Sequence, residues 1–115
     1  MSTAIVANLE KLLGGPRDGA LLRYSLGNEL LKAGDACAAA TRFRETVERD
    51  PKFSAGWKML GRALAVAGND AAAREAYTQG IAVAEARGDI QAAKEMTVFA
   101  RRLQNPAPEG NGSAG

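Results

Sequence analysis

Few side chains in this sequence could carry out catalysis. The chain has no histidine, which is the commonest general base and metal ligand, and its single Cys37 cannot build a zinc site. Its glycines are scattered and form no phosphate-binding run. Glu45, Glu48 and Asp50 lie close in sequence, but their spacing fits a solvated helix face better than a catalytic pair. We therefore predict a protein that is not an enzyme and that uses no cofactor and no metal.

The composition is typical of a small helical protein. The chain has 115 residues, 46% of them apolar and many of these alanine, which is the best helix former. A net charge of +2 is too small to indicate nucleic-acid binding. No segment has the roughly 18 consecutive apolar residues of a membrane span, and the first residues lack the basic start of a signal peptide. We expect a cytoplasmic protein that binds neither nucleic acid nor membrane.

A set of residue types recurs 34 positions later in the chain. The matched residues are Leu26 and Leu60, Gly27 and Gly61, Leu30 and Leu64, Ala39 and Ala73, and Phe43 and Tyr77. A repeat of this length indicates stacked supersecondary units, which build extended surfaces for partners more often than catalytic pockets. The repeat therefore favours a binding function.

Apolar residues at helical spacing, separated by short breaks, predict six helices and no strand. The breaks are Gly14-Gly15-Pro16, Gly34-Asp35, Asp50-Pro51, Gly68-Asn69 and Gly88-Asp89. We expect Asp18, Asp35 and Asp89 to cap the helices that follow them, since aspartate is a favoured N-cap residue. The sequence therefore predicts an all-α fold built from helix pairs with short turns.

The repeated residues resemble the tetratricopeptide repeat (TPR) signature. The later copy reads Trp57-x-x-Leu60-Gly61-x-x-Leu64, followed by Gly68, Ala73 and Tyr77. The earlier copy has Leu26-Gly27-x-x-Leu30, Gly34, Ala39, Phe43 and Pro51 at the same offsets, with Arg23 in place of the tryptophan. The resemblance covers about residues 19–86. It implies a small bacterial-type two-repeat protein folded as a right-handed α-α superhelix of stacked helical hairpins.

This resemblance implies one domain over residues 1–104. We expect an N-terminal capping helix at 3–15, repeats at 19–52 and 53–87, a C-terminal capping helix at 89–104 and a disordered tail at 105–115. Within each pair, Gly27 or Gly61 should lie where the two helices touch, with Ala39 or Ala73 opposite. The aromatic residues Phe43 and Tyr77 should fill the space between successive pairs.

The resemblance also implies a binding surface. In TPR arrays the first helix of each pair lines a concave groove that holds an extended peptide or a partner helix. The positions that map onto this groove contain three cations and no acid. The candidate partner-binding residues are Tyr24, Asn28, Leu31, Lys32, Lys58 and Arg62.

Some family members hold a terminal carboxylate with a lysine and asparagines in this groove. Here Asn28 occupies an asparagine position, but Tyr24 replaces the lysine and Met59 replaces a second asparagine, so we do not predict the full clamp. We expect Lys58 and Arg62 to attract an acidic or phosphorylated segment, with Tyr24 as a flat apolar contact. The alternative is that both cations are ordinary solvated residues.

The function implied is a non-catalytic adaptor that binds a peptide segment or helix of another protein. Two other interpretations remain open. One is a structural protein that self-associates through the region of Met96 and Phe99. The other is a regulatory subunit of an enzyme, which would use the same groove.

Overall fold

The computed structural model describes residues 2–104, which form six α-helices and no strand. The helices are α1 (Ser2–Glu10), α2 (Ala20–Lys32), α3 (Ala36–Arg49), α4 (Ser54–Val66), α5 (Asp70–Ala86) and α6 (Ile90–Gln104). The all-α prediction with six helices is confirmed. The predicted tail at 105–115 lies outside the described residues.

The helices stack in two layers. Each helix packs against its neighbour in sequence, and α4 also contacts both α2 and α6. By contrast, α3 and α5 do not contact each other, and α1 contacts α2 and no other described helix. We call α2, α4 and α6 the inner layer, and α1, α3 and α5 the outer layer. The resulting shape is elongated, 52 × 33 × 18 Å, as a stack of helix pairs requires.

Two of the three predicted caps are present. The carboxylates of Asp35 and Asp89 accept hydrogen bonds from the backbone N–H groups of Ala38 (3.1 Å) and Ala92 (3.3 Å). These bonds satisfy donors that a helix N-terminus otherwise leaves unpaired. Gly34 follows α2 with a φ of 87°, a left-handed conformation that favours glycine.

The predicted cap at Asp18 is wrong. Gly19 is the residue before α2, and no side chain caps that helix. The Asp18 carboxylate instead accepts a hydrogen bond from the Gly14 N–H (2.9 Å) and pairs with Arg23. Asp18 thus stabilises the connection between α1 and α2 and does not cap a helix.

The first helix ends earlier than the range of 3–15 predicts. After Glu10, the backbone N–H groups of Leu12 and Leu13 bond the carbonyls of Leu9 and Glu10. These bonds span three residues instead of four, so the chain tightens into turns before Gly14. The connection to α2 is therefore a run of turns.

The two helices of each pair touch at a glycine, as predicted, but the opposing residue is aromatic. A Cβ atom added at Gly27 would lie 2.6 Å from Cε1 of Phe43, and one added at Gly61 would meet the Tyr77 ring in the same way. Ala39 and Ala73, the small residues predicted opposite the glycines, are both fully buried, and the atoms nearest each glycine belong to the aromatic ring. Phe43 is fully buried, so its ring has little room to move away.

We predict that Gly27→Ala destabilises the fold by about 1–3 kcal/mol, because the added methyl overpacks the Phe43 ring. Thermal unfolding followed by circular dichroism should show a midpoint lowered by roughly 5–15 °C. The control is Gly19→Ala, where an added Cβ would meet nothing within 4 Å. Because Gly19 is the N-cap residue of α2, where alanine is less favourable than glycine, this control should lower the midpoint slightly, and by less than Gly27→Ala does. Alanine normally stabilises a helix interior relative to glycine by about 1 kcal/mol. An unchanged or raised midpoint in Gly27→Ala would therefore contradict this account of the contact.

Arg23, which stands at the tryptophan position of the first repeat, holds the N-terminal part of the stack together. Its guanidinium pairs with Asp18 (2.7 Å) and with Glu45 on α3 (2.6 Å), and Arg42 also pairs with Glu45 (3.0 Å). At the matching position Trp57 donates its indole N–H to a backbone carbonyl at 2.8 Å. In the first repeat, the ion pairs of Arg23 thus take the place of the hydrogen bond that the indole makes in the second.

The same network lowers two carboxyl pKa values. Hydrogen bonds from Arg23 and from the Gly14 N–H lower the pKa of Asp18 from 3.8 to about 2. Burial acts to raise the pKa of Glu45, but hydrogen bonds from Arg23 and Arg42 outweigh it, so that pKa is also lowered. A carboxyl with a depressed folded-state pKa stabilises the fold above its unfolded-state value and loses that contribution as the pH falls.

We predict that the network contributes stability above about pH 4 and loses it between about pH 4 and pH 2. Urea unfolding at a series of pH values should show that acid lowers the free energy of unfolding less in Arg23→Met than in the wild type. The reason is that the two carboxyls have already lost their main partner in this variant. Arg44→Met is the matched control, since Arg44 is exposed and forms no ion pair among residues 2–104. If acid lowers the free energy of unfolding equally in Arg23→Met and in the wild type, the network does not determine how stability depends on pH.

Candidate partner-binding face

Four of the six predicted site residues line one cleft between α2 and α4. Its volume is about 270 Å³. The lining residues are Asn28, Leu31, Lys32, Met59 and Arg62. We call this cavity the inner cleft, because both of its walls belong to the inner layer.

Helical spacing explains why these side chains share one cleft. On α2, Asn28 lies three and four residues before Leu31 and Lys32, so all three project from one side of the helix. On α4, Met59 and Arg62 are three residues apart. The leucines that lie between these residues, Leu30 and Leu60, belong to the buried core.

The inner cleft has a positive charge that is not neutralised within it. Arg62 is exposed and forms no ion pair among the described residues. Lys32 pairs with Glu29 at 3.3 Å, but its side chain is 68% exposed, which makes that pair weak. Leu31 and Met59 are half-buried and supply apolar surface beside the charge.

Tyr77 of α5 packs beside Gly61, next to Arg62, as a neutral phenol. Burial raises its pKa, an effect that the nearby positive charge of Arg62 only partly opposes. Its ring also packs on Phe99 of α6, with a centroid distance of 5.7 Å. The residue therefore contributes shape, not charge, to the inner layer.

Lys58 does not line the inner cleft. Its ammonium pairs with Glu95 of α6 at 3.0 Å, and this hydrogen bond lowers the pKa of the Glu95 carboxyl. Gln91 donates a second hydrogen bond to the same carboxylate at 3.3 Å. The predicted groove face, with three cations and no acid, includes residues of α2 and α4 only. In the structure α6 adds an acid to it, because Glu95 lies beside Lys58.

Tyr24 is also absent from the inner cleft. Its ring packs on Phe53 and Phe43, with centroid distances of 4.8 and 5.8 Å. Much of the ring is therefore engaged in packing between the first pair and the start of α4. Sequence spacing alone does not reveal this contact, because Phe53 lies outside the repeated signature.

A larger cleft, which sequence reasoning missed, lies on the outer layer. Its volume is about 520 Å³. It is lined by Cys37, Ala40, Thr41, Arg44, Glu45, Glu48, Leu64, Ala67 and Asn69. The charges there are mixed, and Glu45 is already paired with Arg23 and Arg42. This outer cleft therefore offers no single charge to a partner, whereas the inner cleft does.

The described part of the chain has neither a metal-ligand cluster nor a membrane-spanning helix. Residues 2–104 contain no group of three or more His, Cys, Asp or Glu side chains that could hold a metal ion. Over the same range, no helix has the length and hydropathy needed to cross a membrane.

Comparison with known proteins agrees with the repeat pattern. The chain is 54% identical over 99 residues to the TPR repeat-containing protein PA0015 of Pseudomonas aeruginosa, a match that covers 86% of this chain and 94% of that protein. No protein-family model matches the chain.

Two solved structures are similar over most of their length. Protein BPP2914 of Bordetella parapertussis has a TM-score of 0.77 and 38% identity, covering 96% of this chain and 97% of that one. A tetratricopeptide repeat domain protein of Salinibacter ruber has a TM-score of 0.69 and 31% identity, covering 76% and 88%.

Proposed function

The chain belongs to the tetratricopeptide repeat family, and on that premise we propose that it is a non-catalytic adaptor that binds an acidic segment of another protein. TPR folds are generally protein-interaction modules and non-catalytic scaffolds. The segment would lie in the inner cleft. The observation that carries this proposal is that one cavity contains Arg62, which has no ion-pair partner within residues 2–104, together with the amide of Asn28 and apolar surface.

Each side chain of the cleft suits a different part of a peptide. The Arg62 guanidinium can hold a carboxylate or phosphate through two parallel hydrogen bonds. The Asn28 amide can donate to a backbone carbonyl and accept from a backbone N–H of an extended chain. Leu31 and Met59 supply the apolar contact that holds one side chain of the segment, and methionine adapts to several shapes.

Charges outside the cleft restrict where the acid of the segment binds. Glu95 lies against Lys58 and would repel an acid placed next to α6. Among the described residues no acid lines the inner cleft, where Arg62 and Lys32 supply two cations, although Lys32 also pairs with Glu29 beside the cleft. The acidic end of the segment is therefore directed to Arg62, away from α6. A regulatory subunit of an enzyme would bind its catalytic partner by the same contacts.

We predict that peptides selected by the wild-type chain from a displayed random library are enriched in Asp and Glu. Arg62→Glu should bind a selected peptide at least about tenfold more weakly, roughly 1.4 kcal/mol, because the attraction becomes repulsion. Fluorescence anisotropy with the labelled peptide measures this loss. The thermal midpoint should stay unchanged, since Arg62 is exposed.

The matched control is Arg44→Glu, which makes the same charge reversal on an exposed arginine of the outer layer. Binding by Arg44→Glu should equal that of the wild type. If both variants lose binding equally, the effect comes from total charge and the inner cleft is not the site. Selection of peptides without acidic residues would contradict the proposed partner chemistry.

A further inference from the structure

The surface of the inner layer continues from the inner cleft across α4 to α6. Two contacts show how α4 and α6 lie beside each other. The Ser54 hydroxyl donates to the Asp89 carboxylate at 3.2 Å, and the Lys58 ammonium pairs with Glu95 at 3.0 Å. The partners are 35 and 37 residues apart in sequence. The two helices therefore run in the same direction, with matching positions 35 to 37 residues apart.

Val98 of α6 is the counterpart of Arg62 of α4 on this surface. Leu60 and Met96 are both fully buried, and Arg62 and Val98 each follow them by two residues, so they lie on matching sides of their helices. Val98 is apolar and 42% exposed, and Arg62 is exposed as well. A segment bound at Arg62 therefore meets an apolar side chain where it continues towards α6.

The neighbours of Val98 on α6 are used for packing within the chain. Met96, one of the two residues named for self-association, is fully buried against Gly80 of α5. Phe99, the other, is half-buried, and its ring packs on Tyr77 with a centroid distance of 5.7 Å. The part of α6 that borders Arg62 is therefore formed by Val98 and, one helical turn before it, by Glu95.

Glu95 places a negative charge on this border. Its carboxylate accepts hydrogen bonds from Lys58 at Oε1 and from Gln91 at Oε2, yet its side chain is 38% exposed. The hydrogen bond from Lys58 lowers the pKa of Glu95, so the carboxylate is ionised at neutral pH. An acid of a bound segment placed here would therefore meet a like charge.

The Lys58–Glu95 pair also limits how many acids α4 can bind. Lys58 and Arg62 are one helical turn apart, a spacing at which two free cations would favour two acids of a segment. Lys58 is already held by Glu95, whereas Arg62 forms no ion pair among residues 2–104. Of these two cations, Arg62 is thus the one left for an acid of the partner.

We propose that Glu95 and Val98 select the residue that the partner carries near the acid bound by Arg62, so that an apolar side chain is accepted and a second acid is rejected. This inference rests on the proposed function, because it concerns the same segment. Packed helices lie about 8–10 Å apart and an extended chain advances about 3.3 Å per residue, which puts the selected residue about three positions from the acid. The partner is therefore a segment with one acid and an apolar residue near it, and not a run of acids.

The test uses a selected peptide that contains one acid and that Arg62→Glu binds more weakly than the wild type does. The residue three positions from the acid is made leucine, serine or glutamate, on each side of the acid in turn. On one side, the wild type should bind the leucine peptide about fivefold more tightly than the serine peptide, and the glutamate peptide about fivefold more weakly. Fluorescence anisotropy measures the dissociation constants.

Two variants should change this ranking in different ways. Glu95→Gln removes the repulsion and releases Lys58, so the glutamate peptide should bind at least as tightly as the serine peptide. Val98→Ser removes the apolar contact, so the leucine and serine peptides should bind equally, while the glutamate peptide stays weakest.

Each variant has a matched control that should keep the wild-type ranking. Glu75→Gln neutralises an exposed acid of the outer layer that forms no ion pair among the described residues. Ile90→Ser removes an exposed apolar side chain from α6, two helical turns before Val98. Circular dichroism checks that every variant is folded, and Val98→Ala is a second variant that should reduce the advantage of the leucine peptide.

A wild type that binds the three peptides equally on both sides of the acid would overturn the inference. So would an unchanged ranking in Glu95→Gln or in Val98→Ser, or a selection that yields only runs of acids. The proposed function would survive these results as long as Arg62→Glu weakens the binding of every peptide. If Arg62→Glu binds all the peptides as the wild type does, the proposed function fails and this inference fails with it.

Discussion

The close approach of two helices at a glycine is the constraint on which the rest of the structure depends. Gly27 and Gly61 let an aromatic ring of the outer layer lie directly against the backbone of the inner layer. The Phe43 ring also packs on Tyr24 of α2, which in turn packs on Phe53 just before α4, and the Tyr77 ring packs on Phe99 of α6. The aromatic residues thus connect each inner helix to the next.

The charged residues divide into those used for structure and those left for a partner. Arg23 is nearly buried, with 12% of its side chain exposed, and it joins Asp18 to Glu45. Lys58 is likewise engaged with Glu95 across the α4–α6 contact. Arg62 lies one helical turn after Lys58 but is exposed and forms no ion pair among residues 2–104. The two cations therefore differ in what they can do, although their sequence positions look equivalent.

Much of the fold could be predicted from the sequence, because it rests on local signals. Helix breaks and caps such as Gly34-Asp35 depend on residues a few positions apart, and the 34-residue repeat predicts the pairing. The role of Asp18 could not be predicted in this way. Its carboxylate could either cap α2 or pair with Arg23. It pairs with Arg23, whose guanidinium is also bound by Glu45, 22 residues further along the chain.

In the candidate site, too, the features set by local spacing could be predicted, and a contact between distant helices could not. Asn28, Leu31, Lys32 and Arg62 share a cleft, since repeat offset and helical spacing both place them on one face. Glu95 was missed because the predicted groove included only α2 and α4, and α6 was expected to be a cap. The sequence indicates where α6 lies along the chain, but not that its Glu95 meets Lys58, 37 residues earlier.

The central claim is that an acidic segment binds between α2 and α4. It is tested most directly by titrating the isotopically labelled chain with an acidic peptide obtained by selection and following the backbone amides by NMR. We predict that the largest chemical-shift changes fall on Asn28, Leu31, Lys32, Met59 and Arg62. Changes centred instead on Arg44 and the other residues of the outer cleft would contradict it.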